Sequence, residues 1–88
     1  MTLDKHEIAV LDAIMRVVEN QLRDNDPPEV RLTLARLQKE GFSELDAKKL
    51  IRSVAAVEIS NIMEKKEPFR YDRYAEGLEL LPQLPWEE

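Results

Sequence analysis

The chain contains no cysteine, one histidine and two glycines among its 88 residues. Without cysteine there is no disulfide, no thiolate nucleophile and no thiolate-ligated metal. The single histidine, His6, has no second histidine to share a metal with and no legible serine spacing, although triad partners meet only in the fold. Its place in a first helical turn reads as structural. No apolar run approaches the roughly 18 residues that a bilayer span needs. The start, Met1-Thr2-Leu3-Asp4-Lys5-His6-Glu7, is polar and acidic and lacks the pattern of a secretory leader. Cytoplasm is the expected compartment. Strand-like alternation, internal repeats and low-complexity tracts are also missing.

What is present is enough apolar side chain for a core. Hydrophobic residues make up 43% of the chain, too many for a disordered segment. A chain of this length buries only about 60–65% of its unfolded surface. One domain over residues 1–88 is expected, of modest stability.

Three helix starts are spelled out, at Asp4-Lys5-His6-Glu7, Asp26-Pro27-Pro28-Glu29 and Ser43-Glu44-Leu45-Asp46. Each pairs a short oxygen-bearing side chain with a carboxylate three residues on. That arrangement offers an acceptor to unpaired first-turn N–H groups and sets negative charge at the positive end of the helix dipole. The first helix is predicted over about residues 5–24, with Ile8, Leu11, Met15, Val18 and Leu22 at helical spacing and Val10, Ile14 and Val17 widening the stripe. The second is predicted over 27–40. Asp26 is its cap and Pro27 its first residue, where a missing N–H costs nothing. Val30, Leu34 and Leu37 form its stripe, and Leu32 points elsewhere.

Gly41 is the left-handed stop of that helix, and Phe42 folds back on its last turn. The third helix is predicted over 44–66, with Ala47, Leu50, Ile51, Val54, Ala55, Val57 and Ile62 on one broad face. A short fourth is predicted over 73–81, capped by Asp72 and weakened by Gly77. The tail, residues 82–88, is too rich in proline for helix or central strand. Tyr71, Tyr74, Leu81, Leu84 and Trp86 are expected to strap across the chain's own helices. The alternative is a tail that binds another protein through Trp86. The fold class is therefore all-α, a small three-helix bundle with a short C-terminal helix and a strapping tail.

The net charge of −5 hides a pattern. Acidic side chains outnumber basic ones in residues 1–30 and 53–88, and basic ones lead in 31–52. Such a chain neutralises itself within one bundle, and its net charge opposes nucleic acid and anionic membrane. Lys48, Lys49 and Arg52 are the residues that nucleic-acid binding would use.

Polar residues inside apolar faces are the candidate site. At 100° per residue Glu58 falls between Ile51 and Ile62, near the middle of the third helix's stripe. Glu7 lies near the centre of the first helix's stripe, and Glu19 at its edge. A buried carboxylate must find a partner or become neutral. Arg16, Arg23 and Arg36 are the partners expected for Glu58. Converging carboxylates would instead hold a cation or a polar ligand.

The Gly41-Phe42-Ser43 junction resembles both a helix-turn-helix and a ubiquitin-associated domain. The long third helix departs from each. Val18-Glu19-Asn20-Gln21 followed by Asp26-Pro27-Pro28-Glu29-Val30, then Arg36-Leu37 and Gly41, resembles a family of small bacterial proteins of unknown function. The resemblance covers about residues 8–57. Members of that family carry histidine pairs four residues apart on the first and third helices, which implies metal binding. Here those positions hold Leu11 and Met15, and Leu45 and Lys49, so no metal role carries over. Glu19 and Gln21, which do match, are left to cap, bridge or line a small polar site.

No nucleophile–base pair or metal set is legible, so an enzyme is not expected, and neither is a cofactor. The leading expectation is a non-enzymatic protein-interaction module, with a homodimer or another protein as its partner. Leu32, Val57, Ile59, Met63 and Trp86 are its candidate surface, because apolar residues exceed what one stripe per helix needs. The alternative is a small-ligand or cation site using Glu19, Gln21 and Glu58.

Overall fold

The computed structural model describes residues 2–87. Among them are four helices and no strand: α1 (Lys5–Asp24), α2 (Pro28–Lys39), α3 (Glu44–Lys65) and α4 (Tyr71–Leu80). The all-α reading holds, and the helix ends show why. The Asp4 carboxylate accepts the Glu7 N–H at 2.7 Å, and Ser43 Oγ accepts the Asp46 N–H at 3.1 Å. α1 closes on Asn25 in the left-handed region at φ 51°, a conformation asparagine tolerates.

α2 closes on Gly41 at φ 111°. The Gly41 N–H donates to the Gln38 carbonyl and the Phe42 N–H to the Leu37 carbonyl, each at 3.1 Å. That pair of bonds satisfies carbonyls the helix would otherwise leave open, and half-buried Phe42 packs on the core beside them.

Two predicted helix starts need correction. α2 begins at Pro28, and Pro27 is its extended cap residue, at φ −75° and ψ 149°, with no side-chain cap bond. The residue before a proline is driven out of the α region, and Pro27 precedes Pro28. Asp26 is therefore one residue too early to cap. α4 begins at Tyr71, two residues before the predicted start, and Arg70 stands at its cap position. Asp72 is inside the first turn, where Arg70 grips its carboxylate at 3.1 and 3.0 Å. That guanidinium lowers the Asp72 carboxyl to about 2. The same proline rule ends α4: Leu81, before Pro82, is extended at ψ 141°.

One core draws on all four helices. Ile14 and Val18 come from α1, Val30 and Leu37 from α2, Ala47, Ile51, Val54 and Ala55 from α3, and Tyr74 and Leu78 from α4, with Leu81 just beyond. The stripe of α1 is shorter than its sequence suggests. Ile8 and Val10 are exposed, and every residue from 2 to 10 lies outside the core. Thr33 of α2 is buried where Leu34 is only partly so.

Gly77 has a packing role that its helix propensity conceals. A Cβ there would stand 2.8 Å from Val54 Cγ1, so glycine is what lets α4 lie close on α3. The strap is real only as far as Leu84. Tyr74 and Leu81 are buried and Leu84 is half-buried, but Tyr71 is exposed and Trp86 is 65% exposed. Trp86 thus does not cover the chain's own helices. No helix is long and apolar enough to cross a membrane among the described residues.

Candidate functional site

Glu58, one turn beyond Val54 on α3, is the one carboxylate buried in the core among the described residues, at 2% exposure. Its two oxygens accept from Arg73 Nε at 2.7 Å and Arg73 Nη2 at 3.2 Å. Such a forked pairing matches the planar guanidinium to the carboxylate. The remaining Arg73 nitrogen, Nη1, reaches Glu67 at 3.2 Å. The bond to Glu58 holds the Arg73 guanidinium above its ordinary value.

The partners expected for Glu58 are engaged elsewhere. Arg16 pairs with Asp12 at 2.9 Å and Arg23 with Asp24 at 3.0 Å, both on the surface of α1. Arg36 donates to the Leu81 and Leu78 carbonyls at 2.9 and 3.0 Å. It thereby caps the negative end of α4 from α2.

Beside this pair the Tyr74 hydroxyl donates to Gln21 Oε1 at 2.8 Å, tying α4 to α1. Burial pushes the Tyr74 phenol up to about 12. The Phe69 ring meets the Tyr74 ring edge-on, 5.6 Å between centroids. At the other edge of α4 the Tyr71 hydroxyl donates to Glu29 of α2. These bonds seal the α4 end of the molecule.

From the Tyr74–Gln21 bond an apolar groove runs along the seam of α1 and α3. It begins as a cavity of about 360 Å³ between Val17, Gln21, Ala55, Glu58, Ile59, Phe69 and Tyr74. It continues as a hollow of about 230 Å³ between Val10, Ala13, Ile14, Val17 and Ile59. The two share Val17 and Ile59, so they adjoin along the seam. Gln21 lies by Ala55 and Glu58 while Val10 and Ala13 lie by Ile59, so α1 and α3 run antiparallel along it. Val10 and Val17 remain 43% and 39% exposed.

Of the residues predicted for a polar site, Gln21 and Glu58 meet around Tyr74 and Glu19 does not join them. Glu19 and Glu7 are exposed on α1, and so is His6. The five residues of the predicted surface fall on different sides of the bundle. Ile59 borders the α1–α3 groove, and Met63, one turn on, is 74% exposed. Val57 lies on the α3–α4 side, by Leu80 and Pro85. Leu32 lies on the α2–α4 side, by Thr33 and Ala75. Trp86 stands in the tail. Lys48 pairs with Glu44 at 3.2 Å, whereas Lys49 and Arg52 border a hollow with Phe42 and Leu84.

The sequence reading missed Arg73, Phe69 and the groove itself. The groove had a legible signal: Val10, Ala13, Ile14 and Val17 are an i, i+3, i+4, i+7 set displaced from the core stripe of α1. Arg73 had none, since nothing local links it to a glutamate fifteen residues earlier. Among the described residues no three His, Cys, Asp or Glu side chains gather at one point. Comparison with family models, with curated proteins and with solved structures gave no match to this chain.

Proposed function

We propose that the chain is a non-enzymatic protein-interaction module whose docking face is the groove between α1 and α3. One observation carries this reading: two adjoining apolar hollows left open on the α1–α3 seam of a small bundle. Burial of each aliphatic side chain is worth about 1.5–3 kcal/mol, so a face of this kind gains most when another surface covers it. The polar cluster at its head supports a structural role for Glu58. Both of its oxygens are held by Arg73, which leaves it engaged rather than offered to a cation or ligand.

In-cell photo-crosslinking tests the reading. A photoreactive amino acid in place of Val17 should give a covalent protein adduct. The same group in place of exposed Lys39 on α2 should give none. Absence of any adduct from position 17, with the chain folded and abundant, would overturn it. A second reading, a small apolar ligand seated in the cavity by Gln21 and Tyr74, rests on that cavity's volume and two polar groups. It predicts a stoichiometric non-protein mass on the freshly purified chain.

A further inference from the structure

Glu29 Oε1, in the first turn of α2, is buried and makes no hydrogen bond, the one such side-chain atom among the described residues. A buried acceptor left unpaired costs free energy unless something outside the chain pairs it. Its residue borders a hollow of about 180 Å³ on the seam of α2 and α4, between Leu32, Thr33, Arg36, Ala75 and Glu79. Thr33 is a second, independent sign. It is only 6% exposed, it lines the hollow, and its hydroxyl makes no hydrogen bond among the described residues. Glu79 of α4 supplies another carboxylate, so three acceptors border one small space.

The cation in the wall is already engaged. Arg36 Nη1 donates to Glu40 at 2.7 Å and to the Leu81 carbonyl at 2.9 Å, and Nη2 donates to the Leu78 carbonyl at 3.0 Å. Glu40 thus answers its charge, and Asp72 answers Arg70 at the start of α4. Asp26 adds negative charge close to Tyr71, which bonds Glu29. Even with exposed Lys39, one turn past Arg36, set against them, Asp26, Glu29 and Glu79 leave the seam acidic.

The acceptors narrow the guest. Glu29 Oε2 already accepts from the Tyr71 hydroxyl, so only one oxygen of this carboxylate is free. A guanidinium fork needs both. Calcium takes six or more oxygens, and no three His, Cys, Asp or Glu side chains gather at one point among the described residues. A primary ammonium carries one charge and three N–H donors. That is one donor each for Glu29 Oε1, the Thr33 hydroxyl and the Glu79 carboxylate. Exposed Leu32 and Ala75 give a methylene stem an apolar border.

We propose that this hollow binds a primary alkylammonium group, the head of a polyamine or of a lysine side chain. It lies on α2 and α4, apart from the α1–α3 face, and is independent of what covers that face.

Two-dimensional NMR of the full chain, titrated with butylamine at neutral pH, tests it. Saturable shifts should centre on the amides of Glu29, Thr33, Ala75 and Glu79, with a Kd on the order of 1 mM. Butyltrimethylammonium has the same charge and no N–H donor, and should bind at least about tenfold more weakly. Glu29→Gln should weaken butylamine about tenfold. Glu79→Gln, at an exposed position where the fold is not at stake, should weaken it about threefold. Putrescine and a lysine blocked at both backbone ends separate the two sources, and whichever binds more tightly names the source.

No saturable shift by about 50 mM butylamine, equal binding of butyltrimethylammonium, or full affinity in both glutamine variants overturns the site. So does magnesium that saturates the same amides below about 1 mM and is not displaced by butylamine, which would make the hollow a metal site.

Discussion

Where α1 and α3 meet α4, polar side chains close the seams. Farther along the same two helices, the seam is left to Val10, Ala13, Val17 and Ile59. The closed end holds the Glu58–Arg73 fork and the Tyr74–Gln21 bond, and Arg36 of α2 grips the far end of α4. The open end has the first two turns of α1, exposed from residue 2 to residue 10. The contrast separates what keeps this chain folded from what it has left to offer a partner. A short helix such as α4, ten residues long, has little stability of its own. It stays because several helices grip it. α1, at twenty residues, overhangs the core without needing such support.

The sharpest way to break the contrast is at Arg73. Arg73→Leu leaves the Glu58 carboxylate buried and unpaired, and should cost about 2–4 kcal/mol in urea denaturation, less than a fully buried pair because Arg73 is a third exposed. Replacing both residues, Glu58→Leu with Arg73→Leu, should recover most of that loss. If the single variant is as stable as the parent, the closed end is not held by this pair.

Alkali should open the same end through Tyr74. Its phenol titrates near 12 when folded and near its ordinary 10 when unfolded. The unfolded chain therefore loses this proton first. The contribution is whole below about pH 10 and falls away as pH rises toward 12, by up to about 2 kcal/mol. Tyr74→Phe should flatten that slope, read from chemical denaturation at a series of pH values.

At Gly77 two effects compete. Alanine gains about 1 kcal/mol in helix propensity. Its Cβ, however, meets the stiff Val54 side chain at 2.8 Å, and such overpacking costs about 1–3 kcal/mol. We expect Gly77→Ala to be net destabilising by about 1 kcal/mol, with the loss visible in thermal melts. A stabilised variant would mean α4 can lift off α3 without penalty.

The smallest effect belongs to the open end. Val10→Ser should change the stability of the dilute chain by no more than about 0.5 kcal/mol. It should nonetheless abolish any rise in melting temperature with protein concentration, since mass action stabilises only what associates. A large loss in the dilute chain would show that the open end belongs to the core after all.

The sequence alone determined the helices and most of their limits, because those limits are local chemistry. Asp4 and Ser43 cap through atoms three residues away, Gly41 turns where only a missing Cβ is comfortable, and Pro28 and Pro82 dictate the backbone of the residue before them. The two misplaced starts follow from the same local rules. Pro27 is shut out of α2 by Pro28, and Asp72 stands inside the first turn of α4 rather than before it. Tertiary structure decided everything that depends on which surfaces meet.

Glu58 could be read as buried from its place on the α3 stripe, but its partner came from α4, fifteen residues on. Gln21 became part of a site because Tyr74 was brought to it across 53 residues, while Glu19, two residues away, faces water. Ile8 and Val10 had the spacing of core residues, yet both are exposed. Periodicity tells which face of a helix is apolar. How far along that face a neighbour extends is set by the lengths and crossings of the other helices, and no local pattern encodes those.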